Sequence, residues 1–294
     1  MARWPIPKKG ELQIRHTRRF DWDNLALRIV SGAILAPAAL AIVWFDPFYV
    51  SFLILISVAV SMLSYEWAVM AARAAVARVA VTMTAAVLGV VFLTYAGHVW
   101  AAVAMMVFGS LAAAAASRGV TERRFDAAYG VLYVSPACIA IIWLRFGIPE
   151  WQTPSWQGAG WTVMLFATTW AADICAFVVG NALKGPRLWP RYSPNKTWSG
   201  FFGGLLGAAA AAVGVAAFLM HLSLAGAGLI GLTAGVATMM GDLWESMLKR
   251  RFGVKDSGDL IPGHGGLLDR VDGLMFATLV FAAARLIVHF GWAH

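Results

Sequence analysis

The chain has 294 residues, 60% of them hydrophobic and only 13% charged. Soluble domains are about 45–50% apolar and about 25% charged, so this composition excludes an ordinary soluble enzyme and implies a membrane protein with many spans. The formal net charge of +8 does not argue for a nucleic-acid partner, because the basic residues of a multispan protein first report orientation.

In lipid, backbone polar groups must be satisfied within each segment, which makes helices the default. A barrel would show alternating stretches of about ten residues. This sequence shows long unbroken apolar runs. The expected fold class is therefore all-α, a polytopic integral membrane bundle of helices.

Residues 1–24, MARWPIPKKGELQIRHTRRFDWDN, are polar and basic. No short apolar core with a small-residue cleavage site follows, so they do not read as a cleavable signal. They read as a cytoplasmic tail able to lie on anionic lipid. A span needs about 20 apolar residues, and nine segments qualify: Leu25 to Phe45, Phe48 to Met70, Val79 to Ala96, Val99 to Ala116, Ala127 to Phe146, Trp161 to Leu183, Gly200 to Met220, Leu224 to Leu248 and Val271 to Phe290. Residues 25–147 form an N-terminal set of transmembrane helices. Residues 148–294 are expected to form a C-terminal transmembrane region, with loops at 184–199 and 249–270, that carries the candidate catalytic residues.

With the tail in the cytoplasm, alternation puts the segments near 71–78, 117–126, 184–199 and 249–270 on the same side. Of the lysines and arginines, only Arg145 and Arg285 fall elsewhere. This positive-inside bias predicts a cytoplasmic N-terminus. Cys138 and Cys175 lie inside apolar runs and read as small buried hydrophobes.

Glu66, Asp173, Asp242, Glu245 and Arg285 fall within predicted spans, where charge is costly and marks function by default. Glu66 alone, near a helix end, reads as structural, and so does Arg285. Asp242, Glu245, Ser246 and Lys249 are spaced i, i+3, i+4 and i+7, which places them on one helical face.

Two loops carry the remaining polar chemistry. Lys184 to Gly204, KGPRLWPRYSPNKTWSGFFGG, holds three prolines that stop helix formation. Ser193, Asn195, Lys196, Thr197 and Ser199 supply donors where the next helix begins, and a helix N-terminus favours phosphate. It is not a P-loop, since the glycine five residues before Lys196 is missing. Ser246 to Asp272, SMLKRRFGVKDSGDLIPGHGGLLDRVD, is the most polar run near the apolar segments. Gly263, Gly265 and Gly266 flank His264 and allow close backbone approach to a ligand. Asp242 and Asp269 stand on adjoining helices facing one loop. Two carboxylates with room for water and phosphate oxygens suit Mg²⁺, and the surrounding lysines and arginines suit further phosphate charge. A metal-bound polyanion such as a nucleoside triphosphate fits, with a lipid as co-substrate.

These residues carry a family resemblance. Ser246, Lys249-Arg250, Lys255-Asp256, Pro262, His264-Gly265-Gly266, Asp269-Arg270 and Asp272 resemble, in order and spacing, the signature of phosphatidate cytidylyltransferases, also called CDP-diacylglycerol synthases. Ser193-Pro194-Asn195-Lys196-Thr197-Trp198 is similar to a second block of that family, and Asp173 to Gly180 to the segment before it. The likeness covers roughly 170 to 275. It departs at Asn181, where the family has Arg, and at Ser199, where it has Glu.

The resemblance implies transfer of CMP from CTP to phosphatidate. It implies Mg²⁺ held by Asp242 and Asp269, beside a second, monovalent cation such as K⁺. Lys196, Lys249, Arg250 and Lys255 become phosphate contacts, and His264 a donor to a phosphate oxygen. Asp256 and Asp272 would fix basic side chains. Ser193, Asn195, Thr197, Ser246, Gly265, Gly266 and Arg270 complete the expected binding surface. The expected partners are CTP, phosphatidate and the bilayer of a bacterial-type inner membrane, with homodimer assembly left open. Two other readings stand beside this one: a CTP-dependent polyprenol or phytol kinase, and a cation-coupled transporter with midplane carboxylates.

Overall fold

A computed structural model describes residues 34, 36–45, 50–118, 124–147, 155–190, 192–220, 222–258, 260 and 265–291. The described chain is helical apart from one small hairpin. A short apolar helix, α1 (Ala36–Phe45), comes first. It is followed by α2 (Val50–Ala71), α3 (Val76–Tyr95), α4 (Val99–Ala116), α5 (Arg124–Phe146) and α6 (Ser155–Leu183). Strands β1 (Arg187–Trp189) and β2 (Ser193–Thr197) precede α7 (Trp198–Leu219), α8 (Leu224–Arg251) and α9 (Leu268–His289). Helices α2 to α9 make eight elements long and apolar enough to cross a membrane. They coincide with the second to ninth predicted spans, and the all-α polytopic class holds. The tail and the start of the first predicted span lie outside the described residues.

The outer surface is what lipid requires. Phe218 is 88% exposed, Trp100 86% and Phe177 72%. Such side chains would be a liability in water and are at home among acyl chains. Inside, Trp67 of α2 is fully buried. It packs against Tyr129 and Tyr133 of α5 and edge-on to Phe252 beyond α8.

Close helix contacts rest on small residues, as expected where lipid removes the hydrophobic drive between helices. A side chain at Gly203 would overlap Val179, and one at Gly207 would overlap Cys175, so α7 lies directly on α6. Gly241 meets the Asp272 backbone, and Gly273 meets Thr238. This approach of α8 and α9 sets the register of the acidic residues they carry.

The 184–199 segment holds more order than a loop. β1 and β2 pair antiparallel, Arg187 opposite Thr197 and Trp189 opposite Ser193, with an irregularity between them. Pro190 lies in the turn, which the Tyr192 N–H closes on the Trp189 carbonyl at 3.3 Å. Prolines that forbid a helix here leave extended backbone and a turn. Thr197 ends β2 and caps α7, its hydroxyl accepting from Gly200 N–H at 3.1 Å.

Helix α8 runs three residues beyond its predicted apolar limit, so Lys249, Arg250 and Arg251 form its last turn. Cations there complement the helix dipole. Gly253, at φ +73°, ends the helix. Its N–H donates to the Arg250 carbonyl at 3.2 Å, and the Val254 N–H to the Lys249 carbonyl at 2.9 Å. These are the two bonds of a Schellman cap, which needs a left-handed residue at that position.

Candidate active site

The polar side chains of the C-terminal half gather at one end of the bundle. The ends of α2, α6 and α8, the starts of α5, α7 and α9, the hairpin and residues 252–258 and 265–267 all meet there. α8 and α9 are antiparallel neighbours, so residues three apart on each form rungs. The Asp272 carboxyl faces Asp242, and Glu245 faces Asp269. Asp242 and Asp269, the predicted pair, therefore sit on successive rungs, each with a second carboxyl closer to it.

On the first rung, Lys196 from β2 makes an ion pair with Asp242. Asp173 of α6 lies within electrostatic range of Asp242, Lys196 and Arg270. This joins the hairpin, α6, α8 and α9 in one patch. The Lys196 and Asp242 side chains are 25% and 22% exposed, so the patch opens to the surroundings. Asp272 is buried and accepts from Gly273 N–H at 2.8 Å. Its carboxyl faces Asp242, where the sequence reading expected a basic side chain.

On the second rung, Lys249 bridges Glu245 and Asp269, both at 2.5 Å. The Glu245–Lys249 contact is the i, i+4 pair expected from the helical spacing. Asp269 Oδ2 also accepts from Ser257 N–H at 3.1 Å, Ser257 Oγ at 2.9 Å and Gly266 N–H at 3.3 Å. Glu245 Oε1 is buried and has no hydrogen-bond partner among the described residues.

The other predicted residues take varied positions. Thr197 Oγ1 caps α7 and lies 3.0 Å from Ser199 Oγ. Ser199 donates to the Lys184 carbonyl, so part of the expected anion-binding donor set is occupied locally. Asn195 is exposed, and Ser193 and Ser246 are half-buried. Arg250 is exposed and reaches back to the Val254 carbonyl at 3.4 Å. Lys255, Asp256 and Arg270 are exposed. Gly265 has φ +82°, a conformation that favours glycine. Gly266 is buried against Ser257, where any side chain would collide. Its missing side chain serves packing within the loop, whereas the sequence suggested approach to a ligand. His264 and Pro262 lie outside the described residues.

Three residues of the N-terminal half, Glu66, Trp67 and Asp126, join the site with little local signal in the sequence. Glu66 of α2 accepts from Leu267 N–H at 2.7 Å and Leu268 N–H at 2.8 Å. It reads as structural in the sequence, and here it is tied to another helix through backbone amides. Asp126 at the start of α5 pairs with Arg251. Its carbonyl accepts from Trp67 Nε1 at 2.9 Å. The one signal for Glu66 was its charge inside an apolar run. Arg285 is remote from the site and structural, as expected. It donates to the Trp143 and Leu144 carbonyls at 2.9 and 2.6 Å and lies over the Trp143 ring.

Among the described residues no three His, Cys, Asp or Glu side chains form a ready-made metal cage. Mg²⁺ does not need one, since it binds through one or two carboxylates with water and substrate phosphates. The donors fit that ion. They are hard carboxylate oxygens, Asp242 and Asp269 already attract lysine ammonium groups, and Glu245 Oε1 is buried without a hydrogen-bond partner among the described residues.

Comparison with known proteins bears on the whole chain. A model of the cytidylyltransferase family matches residues 26–288. A phosphatidate cytidylyltransferase of Brucella suis is 37% identical over 276 residues, covering 92% of this chain and 94% of its own. One from Pseudomonas aeruginosa is 33% identical over 286 residues, covering 91% and 98%. One from Synechocystis is 45% identical over 130 residues, covering 43% and 44%. The match extends through the N-terminal helices, well beyond the region where the motifs alone carried a resemblance. The chain belongs to the cytidylyltransferase family.

Proposed function

We propose that this membrane enzyme is a phosphatidate cytidylyltransferase, transferring CMP from CTP to phosphatidate to form CDP-diacylglycerol and pyrophosphate. Relatives of that name match nearly its full length. The observation that carries the chemistry is the pair of carboxylate rungs on α8 and α9, one met by Lys196 of β2 and the other by Lys249, at one end of a membrane bundle. A lipid phosphate and a nucleotide can meet there without either leaving its own phase.

In the reaction, a phosphate oxygen of phosphatidate attacks the α-phosphorus of CTP. The new P–O bond forms as the bond from that phosphorus to the bridging oxygen breaks, and pyrophosphate leaves with the electron pair. The nucleophile is already anionic, so no strong general base is required. Positioning and charge neutralisation carry the rate. Lys196 and Lys249 sit on the carboxylates and exchange them for phosphate oxygens as substrate binds. Arg250, Lys255 and Arg270 are exposed around the same end and attract the triphosphate. Asp242 and Asp269 are the residues that would hold Mg²⁺, with Asp272 and Glu245 beside them and a monovalent cation such as K⁺ as a second ion. When bound, Mg²⁺ supplies charge neutralisation for the triphosphate and its leaving group. His264 is assigned a phosphate contact on motif grounds.

The positive-inside pattern favours a cytoplasmic N-terminus and an active site facing the cytoplasm, where CTP is available. Relatives from bacteria support an inner-membrane location. The test is CDP-diacylglycerol formation by purified protein, with Asp242→Asn and Asp269→Asn measured alongside. Wild-type rates from either variant would remove the metal assignment.

A further inference from the structure

Glu66 belongs to the half of the chain that carries none of the recognisable motif, yet it touches the site loop three times. It is 1% exposed. A buried carboxylate is tolerated only when its oxygens are satisfied. Here Oε1 takes the Leu267 N–H and Oε2 the Leu268 N–H, at 2.7 and 2.8 Å. These amides open α9, where the helix dipole favours a negative charge. Glu66 therefore occupies the first two amides at the start of α9.

The third contact leads into the reaction centre. Ser257 Oγ lies 3.3 Å from Glu66 Oε2 and 2.9 Å from Asp269 Oδ2. A hydroxyl has one proton to donate, so the two carboxylates share it. Asp269 Oδ2 is also held by the Ser257 and Gly266 amides, which leaves Oδ1 facing Lys249. The direction of Asp269 thus depends on where Ser257 and the α9 start are pinned, and Glu66 pins both. The adjacent residue, Trp67, holds the other end of the connection. It contacts Phe252 and donates to the carbonyl of Asp126, the residue paired with Arg251.

We propose that Glu66 is a positioning residue for the reaction. Acting through Ser257 and the first amides of α9, it aims the Asp269 carboxylate and so sets the affinity of the site for magnesium and CTP. This rests on the phosphatidate cytidylyltransferase reading. It gives α2 a part in the site that simple membrane anchoring does not require.

The test uses the full-length protein in lipid–detergent micelles, with Glu66→Gln, Glu66→Asp, Ser257→Ala and the Glu66→Gln/Ser257→Ala double variant. Four quantities are read: melting temperature, kcat and KM for CTP, the magnesium concentration giving half-maximal rate, and hydrogen exchange of the 253–268 peptides without nucleotide. Glu66→Gln should raise the half-saturating magnesium concentration by about 10–100-fold, the scale of lost support for a metal ligand. Exchange should quicken at Leu267 and Leu268 while the α6 and α7 peptides stay unchanged. Ser257→Ala should shift magnesium dependence in the same direction. The double variant should be no worse than the worse single one, the mark of two residues acting in one chain of contacts. Glu66→Asp, which keeps the charge, should recover part of the loss. A lower melting temperature with unchanged magnesium dependence and kcat would make Glu66 purely structural. So would effects that multiply in the double variant. Should Glu66→Gln fail to fold, Ser257→Ala and Glu66→Asp decide the matter through the same magnesium titration. If wild-type protein makes no CDP-diacylglycerol, the functional reading itself falls; if it does and the variants match it, only this inference falls.

Discussion

At the scale of single residues, the site is a set of charges held in check by one another. Lys196 and Asp242 pair across β2 and α8, and Lys249 spans Glu245 and Asp269. Breaking one member of a buried set strands its partner, which costs more than the pair was worth. Lys249→Met would leave Glu245 and Asp269 facing each other without a cation. It should therefore lose thermal stability as well as turnover, both read on one purified sample. Asp242→Asn and Asp269→Asn remove charge from where the nucleotide's metal would bind. Each should cost about 100-fold or more in kcat, the scale of losing one preorganised electrostatic contact. Arg285→Met is the contrasting case. It removes the guanidinium that donates to the Trp143 and Leu144 carbonyls at the end of α5, costing about 1–3 kcal/mol of stability with KM for CTP unchanged. A denaturation curve beside a rate measurement separates the two.

At the scale of elements, apolar runs and polar register differ in how clearly the sequence shows them. The spans are legible because lipid demands about 20 apolar residues in each, and α2 to α9 fall where those runs lie. The i, i+4 contact of Glu245 with Lys249 is equally legible, since helical geometry alone creates it. The pairing of Asp242 with Asp272, and of Glu245 with Asp269, is not. It depends on how far α9 slides along α8, which is set by Gly241 against the Asp272 backbone and Gly273 against Thr238. Gly241→Ala forces backbone apart where no flexible side chain can yield. It should cost about 1–3 kcal/mol, as overpacking does, and lower activity by spreading the two rungs. Measurement of melting temperature and turnover would show both effects together. The hairpin escaped sequence reading for another reason. Its prolines forbid a helix without saying what replaces it, and strands of three and five residues carry little periodic signal.

At the scale of the whole molecule, the two halves are not a platform and a catalyst. Glu66, Trp67 and Asp126 reach the 252–267 connection from far away in sequence. Contacts across 125 to 202 residues have no local signature, so they were hidden even where the motifs were plain. The gathering of basic residues at this end also fixes a prediction about sidedness. A single cysteine placed at Lys255, with Cys138 and Cys175 replaced, should react with a membrane-impermeant thiol reagent only in inside-out vesicles. Reaction in right-side-out vesicles would reverse the topology.

The central claim is that the α-phosphate of CTP, with its cytidine, ends on the lipid. The most direct measurement supplies purified protein with phosphatidate, magnesium and CTP labelled in either the α- or the γ-phosphate. The α-label should enter the lipid fraction as CDP-diacylglycerol while the γ-label leaves as pyrophosphate. Label entering lipid from the γ-position, as a kinase would give, or from neither, would contradict it.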